Sequence, residues 1–131
     1  MDKPPALAAI LVEEFVRTAH SDIDRVKELL ALEPALINAS WDWGGGDWET
    51  ALGSASHMGR KDIANLLLQH GARMDIYCAA MLGMLNVVRA IIQVDPGAAT
   101  KPGPHGIPLI RHAEMGGDEA RDVLEYLQSL Q

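Results

Sequence analysis

A chain of 131 residues with 48% hydrophobic, 22% charged and 5% aromatic content fits one domain that needs neither metal nor disulfide to fold, and excludes disorder. A net charge of −7, from 11 Lys+Arg against 18 Asp+Glu, opposes a nucleic-acid-binding face, which requires clustered cations. No apolar run approaches the roughly 20 residues that span a bilayer, so no membrane association is expected.

The only candidate leader, Ala6 to Val12, is short, runs straight into Glu13 and Glu14 and lacks a small-residue cleavage site. The single cysteine, Cys78, cannot form an internal bridge and lies in an apolar stretch, Ile76-Tyr77-Cys78-Ala79-Ala80. It is expected to pack as a small buried hydrophobe in a reducing, cytoplasmic setting. Between Glu13 and Glu49 stand nine acids and three bases, whereas Thr50 to Arg111 holds three acids and six bases. The ends are therefore expected to be acidic and the middle mildly basic.

In chain order, Pro4 or Pro5 can open a first helix, because an N1 proline needs no hydrogen-bond donor, and nothing breaks it before His20. Leu7, Leu11, Phe15 and Ala19 run along it at i+4 spacing as one apolar stripe. A second helix is expected over 24–32. The connection 33–49, rich in Pro and Gly, is longer than an ordinary helix linker and reads as a finger-like loop. Helices over 50–58 and 61–70 follow, with Gly59 at the reversal between them and Gly71 at the left-handed position that ends the second. Further helices are predicted over 76–82, 86–94, 108–115 and 119–129, the connection 95–107 being a second finger-like loop. No strands beyond turn-like pairs are expected.

One frame recurs through these elements, and a repeat decides the fold. A small residue stands three before a turn position, and apolar residues follow at four, seven and eight after it. Ala80 precedes Gly83, with Val87, Ala90 and Ile91 after it; Ala113 precedes Gly116, with Ala120, Val123 and Leu124 after it. A weaker copy has Ala19 before Asp22, then Val26, Leu29 and Leu30. The turn positions Asp22, Gly59, Gly83 and Gly116 are spaced by 37, 24 and 33 residues. Four helix-turn-helix units result, one of them shortened.

The stretch Thr50-Ala51-Leu52-Gly53-Ser54-Ala55-Ser56, followed by Gly59 and Gly71-Ala72, resembles the signature of the ankyrin repeat family. The fourth unit keeps a Pro108-Leu109 pair, with Ile107 and Ile110 where Thr and His are usual, and the third lacks room for the projecting turn. The resemblance covers roughly 15–127. It implies an all-α solenoid of stacked antiparallel helix pairs, a single domain over 1–131 with units at about 5–38, 39–72, 73–97 and 98–131, each touching only its neighbours.

The resemblance further implies a protein-binding module that grips its partner through a concave groove and finger loops. The groove positions carried over are His57, Met58, Met81, Leu82, Glu114 and Met115, with Asp47 and Glu49 from the finger. All three tryptophans, Trp41, Trp43 and Trp48, crowd beside the glycines of Trp41-Asp42-Trp43-Gly44-Gly45-Gly46-Asp47-Trp48. They read either as an aromatic anchor at a binding surface or as a cap on the first helix pair, with a mixed outcome open. If the third unit lacks its finger, Met81 and Leu82 read equally as core.

Chemistry has little support in the linear pattern. His57, His70, His105 and His112 show no i,i+4 pair, no cysteine partner and no spacing typical of a zinc site, so no metal ligand and no cofactor are expected. His112 stands where a small residue is usual and reads as a buried, hydrogen-bonded core residue. No Gly-x-Ser-x-Gly motif occurs, so no enzyme activity is expected. The protein is expected to be a monomer that binds another protein. The rival reading is a small-ligand or catalytic pocket between the tryptophan loop and the His57 turn.

Overall fold

The computed structural model describes residues 2–131. Among these described residues, eight α-helices form four antiparallel pairs: α1 (Ala9–Thr18) with α2 (Ile23–Leu32), α3 (Ala51–His57) with α4 (Lys61–Gln69), α5 (Ile76–Met81) with α6 (Leu85–Val94), and α7 (Leu109–Met115) with α8 (Arg121–Ser129). The odd-numbered helices lie side by side as one row, α1 on α3, α3 on α5, α5 on α7, and the even-numbered ones pack behind them. This is the helix-pair solenoid the repeats imply. No helix among the described residues is long and apolar enough to cross a membrane.

Local chemistry sets the boundaries. Asp22, Thr50 and Asp75 each accept a hydrogen bond from the backbone N–H three residues on, at 3.1, 3.0 and 2.8 Å, which satisfies a donor that the first helical turn leaves free. Replacing Asp75 with alanine removes such a cap and should lower stability by about 1 kcal/mol in urea titration. Gly59 and Gly83 reverse the chain between paired helices at φ +66° and +75°, a conformation that a Cβ disfavours.

Three expectations are corrected. The first helix begins at Ala9 rather than at a proline, because Ala8 is extended (φ −61°, ψ 131°); Leu7 still packs on the first core from this non-helical lead. In the fourth unit Gly116 keeps helical angles (φ −74°), and Gly117 takes the left-handed turn (φ +65°). The connection 95–107 forms no hairpin but two short 3-10 turns, Pro96–Ala99 and Pro104–Gly106, each opened by its proline.

The finger in 33–49 does form. After a 3-10 turn (Pro34–Asn38), β1 (Ser40–Asp42) pairs antiparallel with β2 (Trp48–Thr50), Trp41 standing opposite Glu49. Gly44, Gly45 and Gly46 all have positive φ (+136°, +63°, +88°), and Asp42 ties the tip by accepting hydrogen bonds from Gly44 and Gly46 N–H at 2.8 and 3.0 Å. The glycines are there because the tip bends through backbone angles that side chains resist.

Two buried clusters make the core, one around Phe15, Val16, Leu29, Leu52, Ile63 and Leu67, the other around Val88, Leu109, Ala113, Val123 and Leu127. Helix α5 is the wall between them: Cys78 and Met81 face the first cluster, Ile76, Ala79 and Ala80 the second. Burial raises the Cys78 thiol to about 11, as befits a packing residue. Leu66, Val87, Ile91 and Leu124 are half-buried, while Val88 and Ile92 are the buried pair of α6.

The units do not touch only their neighbours. Helix α3 also packs on α7, and Lys61 Nζ donates to Gly116 O at 2.8 Å and pairs with Glu119 at 3.0 Å. The cause is the shortened third unit, in which α5 spans six residues with no finger before it. The fourth unit thereby reaches across to the second.

Candidate functional site

Side chains alternate across a β-hairpin, so Trp41, Trp43, Asp47 and Glu49 share one side and Trp48 faces the other. Trp41 and Trp43 are half-buried against the first core, whereas Trp48 is 60% exposed. The tryptophan loop is thus both cap and exposed surface. Glu49 is buried, 1% exposed, and is the centre of a polar cluster.

Three histidines converge on its carboxylate from separate places in the fold. His20 follows the C-terminus of α1, His57 ends α3, and His105 occupies the 3-10 turn before α7. Their Nε2 atoms lie 3.3, 3.0 and 3.3 Å from Glu49 Oε1, Oε2 and Oε1 respectively. Trp43 Nε1–H donates to Oε1 at 3.0 Å. The rings of His20 and His57, and of His57 and His105, meet edge to face at 4.9 and 5.4 Å. One donor atom from each of His20, Glu49, His57 and His105 falls within 4.8 Å of every other, so these four are the residues that could hold a metal ion.

The outer ring nitrogens are held too. His20 Nδ1 lies 2.9 Å from Arg17 O. His105 Nδ1 lies 2.6 Å from Asp47 Oδ2, and its backbone N–H donates to Asp47 Oδ1 at 2.8 Å. Asp47 thus clamps a residue with a strained backbone, since His105 is the one non-glycine with positive φ (+61°) among the described residues. By contrast, Glu49 Oε2 and His57 Nε2, though 3.0 Å apart, have no aligned hydrogen-bond partner among the described residues.

Charge follows geometry. Burial opposes ionisation of Glu49 and is the largest single influence on it, yet His20 and His57 together hold the carboxyl well below the usual carboxylate range. For His20 burial again opposes the charge, but Glu49 and the Arg17 carbonyl outweigh it and raise its pKa. The backbone N–H of His105, followed by its ring, lowers Asp47. His112 is the buried core histidine that the sequence implies: its Nδ1 lies 3.0 Å from Pro108 O, and burial lowers its pKa.

The expected groove residues part company. Met58 is 43% exposed, Glu114 is exposed, and His57, Leu82 and Met115 are half-buried. Met81 and Glu49 are buried and cannot touch a partner. For Met81 the reason is that α5 is packed on both sides. The clustering of His20, His57 and His105 was not visible in their spacing, because the chain brings them together only by stacking. The one linear hint was the alternation that puts Trp43, Asp47 and Glu49 on one side of the finger.

Residues 47–78 match the Ankyrin repeat family. No curated relative and no solved structure matches the chain. The matched segment runs from the finger's second strand through α3 and α4 into α5, so it coincides with the one unit that has a hairpin, both turn glycines and a full helix pair. Residues 47–78 are therefore similar to an ankyrin repeat, and the helix pairs stacked around them are consistent with a divergent protein of that kind.

Proposed function

We propose that the protein is a binding module for another protein, which it meets through the outer side of the finger and the turns at the ends of α3 and α7. Ankyrin repeats are in general protein–protein interaction modules. The observation that carries the reading here is Trp48, a large aromatic side chain left 60% exposed on a hairpin whose other side is anchored to the core. A tryptophan held out on a rigid element loses little freedom on binding, which is what a dominant contact needs. Met58, exposed at the end of α3 beside Gly59, whose backbone approaches Met115, adds an adaptable apolar contact. No catalytic step is assigned to this surface.

The test is a Trp48→Ala, Met58→Glu double variant compared with wild type by capture from native lysate, followed by titration of the captured protein. Both changes fall on exposed side chains, so the circular dichroism spectrum and melting curve should be unchanged. Affinity should fall at least about tenfold, the usual consequence of losing a dominant aromatic contact. Capture of the same partner with equal affinity would remove this surface from consideration. A dilute sedimentation run that finds a stable dimer would equally count against a monomeric module.

A second reading is favoured by one observation: polar groups converge between the tryptophan loop and the His57 turn. Their chemistry is that of a ligand site.

A further inference from the structure

We propose that His20, His57, His105 and Glu49 bind one divalent first-row transition-metal ion, with Asp47 and Trp43 orienting the donors. The site deepens the second reading above, a ligand site between the tryptophan loop and the His57 turn, and uses none of the side chains, Trp48 and Met58, on which the protein-binding reading is tested.

The Arg17 carbonyl can only accept, so His20 Nδ1, 2.9 Å from it, must carry the hydrogen of a neutral ring. The same holds for His105 Nδ1, 2.6 Å from the Asp47 carboxylate. In the neutral form both Nε2 atoms then direct a lone pair toward Glu49, an acceptor that has no hydrogen to offer. Lone pairs facing a carboxylate are stable only when a cation lies between them, either a proton on each ring or a metal ion shared by all.

The geometry favours sharing. In a hydrogen bond the N–H aims at one oxygen, whereas donors around an ion aim at a common point. His57 Nε2 and Glu49 Oε2 do not meet in the first way: at 3.0 Å they have no aligned partner among the described residues, though both atoms are buried, whereas His105 Nε2 is in hydrogen-bond contact with Oε1 at 3.3 Å. Donors about 2.1 Å from a tetrahedral ion stand about 3.4 Å from one another, and the Nε2-to-carboxylate separations here are 3.0 to 3.3 Å. The outer arrangement matches as well, since a ligating histidine ordinarily donates its other N–H to a carboxylate or carbonyl. His105 does so to Asp47 and His20 to Arg17 O, while Trp43 Nε1–H holds Glu49.

The donor set selects the ion class. Three imidazoles and one carboxylate suit zinc, iron, nickel or copper, whereas magnesium and calcium demand oxygen donors. The carboxylates of Glu49 and Asp47 supply two negative charges, which one dication balances. Access is open, since the side chains of His105 and His20 are 32% and 22% exposed while Glu49 is closed off at 0%.

Zinc and cobalt(II) are the probes, titrated into metal-stripped full-length protein by calorimetry and, for cobalt, by visible absorption. Wild type should bind one equivalent with a dissociation constant below about 10 μM, and cobalt should show the intense ligand-field bands of a four-coordinate site. Asp47→Asn should weaken binding about 10–100-fold. His105→Ala, on an exposed turn, should weaken it at least as much, and His70→Ala should not change it. Wild type carries a further readout that needs no variant: because the ion displaces Nε2 protons, affinity must rise from about pH 5.5 to about pH 7.5. The ionisable groups facing these rings are Glu49, Asp47 and, behind His57, His112. Absence of saturable binding, binding that survives His57→Ala combined with His105→Ala, or an affinity indifferent to pH would each overturn the site.

Discussion

Gly83→Ala is expected to lower the stability of the protein by about 3–5 kcal/mol, enough to leave a marginal domain substantially unfolded. Two costs combine at this position. The backbone is left-handed (φ +75°), which a Cβ disfavours by about 1 kcal/mol. A Cβ would also lie inside contact distance of the Glu119 carbonyl oxygen and within 3.3 Å of Ala120 Cα. Those atoms are backbone and cannot rotate away, so the α5–α6 turn and the start of the last helix would have to separate. Gly71 separates the two effects: it is left-handed too (φ +97°) but has nothing within 4 Å of the place where a Cβ would be. Gly71→Ala should therefore cost only about 1 kcal/mol. Urea denaturation of both variants measures the difference, and equal losses would mean that close packing against Glu119 imposes no constraint.

Glu49→Leu in the metal-stripped protein is the second large effect, a loss of about 3 kcal/mol near pH 5.5, because it takes from three imidazoles their shared anionic partner and from the Trp43 N–H its acceptor, leaving His20, His57 and Trp43 half-buried. The loss has a pH signature. Glu49 has a folded pKa below its ordinary 4.5, so its stabilisation is complete above pH 4.5 and disappears as pH falls through the folded value. His20 has a folded pKa above its ordinary 6.5, so its stabilisation is complete below pH 6.5 and disappears as pH rises through the folded value. The gap between wild type and variant should accordingly be widest between those two values and narrow on both sides. Chemical denaturation at a series of pH values measures it. A gap that stays flat would mean that the cluster is held by packing, with no charged pairing.

How much of this could be read from the residues depends on distance along the chain. The helix pairs were legible because each is a local event: Gly59 and Gly83 reverse the chain within a few residues, and Asp75 or Thr50 starts the next helix three residues before the donor it caps. The finger was legible for the same reason, since a glycine-rich tip with tryptophans on both flanks requires only neighbours. The sequence leaves Met81 open between groove and core, because its position in the repeat frame says which way it leans, not what leans back. Only the short α5, packed on two sides, buries it. The histidines themselves were out of reach, the alternation along the finger being the one linear hint of their cluster. His105 joins it because the third unit has no finger, which leaves space for the Pro104–Gly106 turn to fold over Gly53 and meet Asp47; the side chain of Pro104 lies 3.6 Å from where a Gly53 Cβ would stand.

The bridge from the fourth unit back to the second changes how the molecule comes apart. An ordinary stacked array unravels from a free end, and each departing unit opens one seam. Here the last unit closes two seams, since α7 lies on both α5 and α3 and Lys61 grips the Gly116 turn. When it leaves, His105 leaves with it. Unzipping of the fourth unit and dissolution of the histidine cluster are therefore expected as a single event, and an ion held by that cluster would also latch the fourth unit to the second.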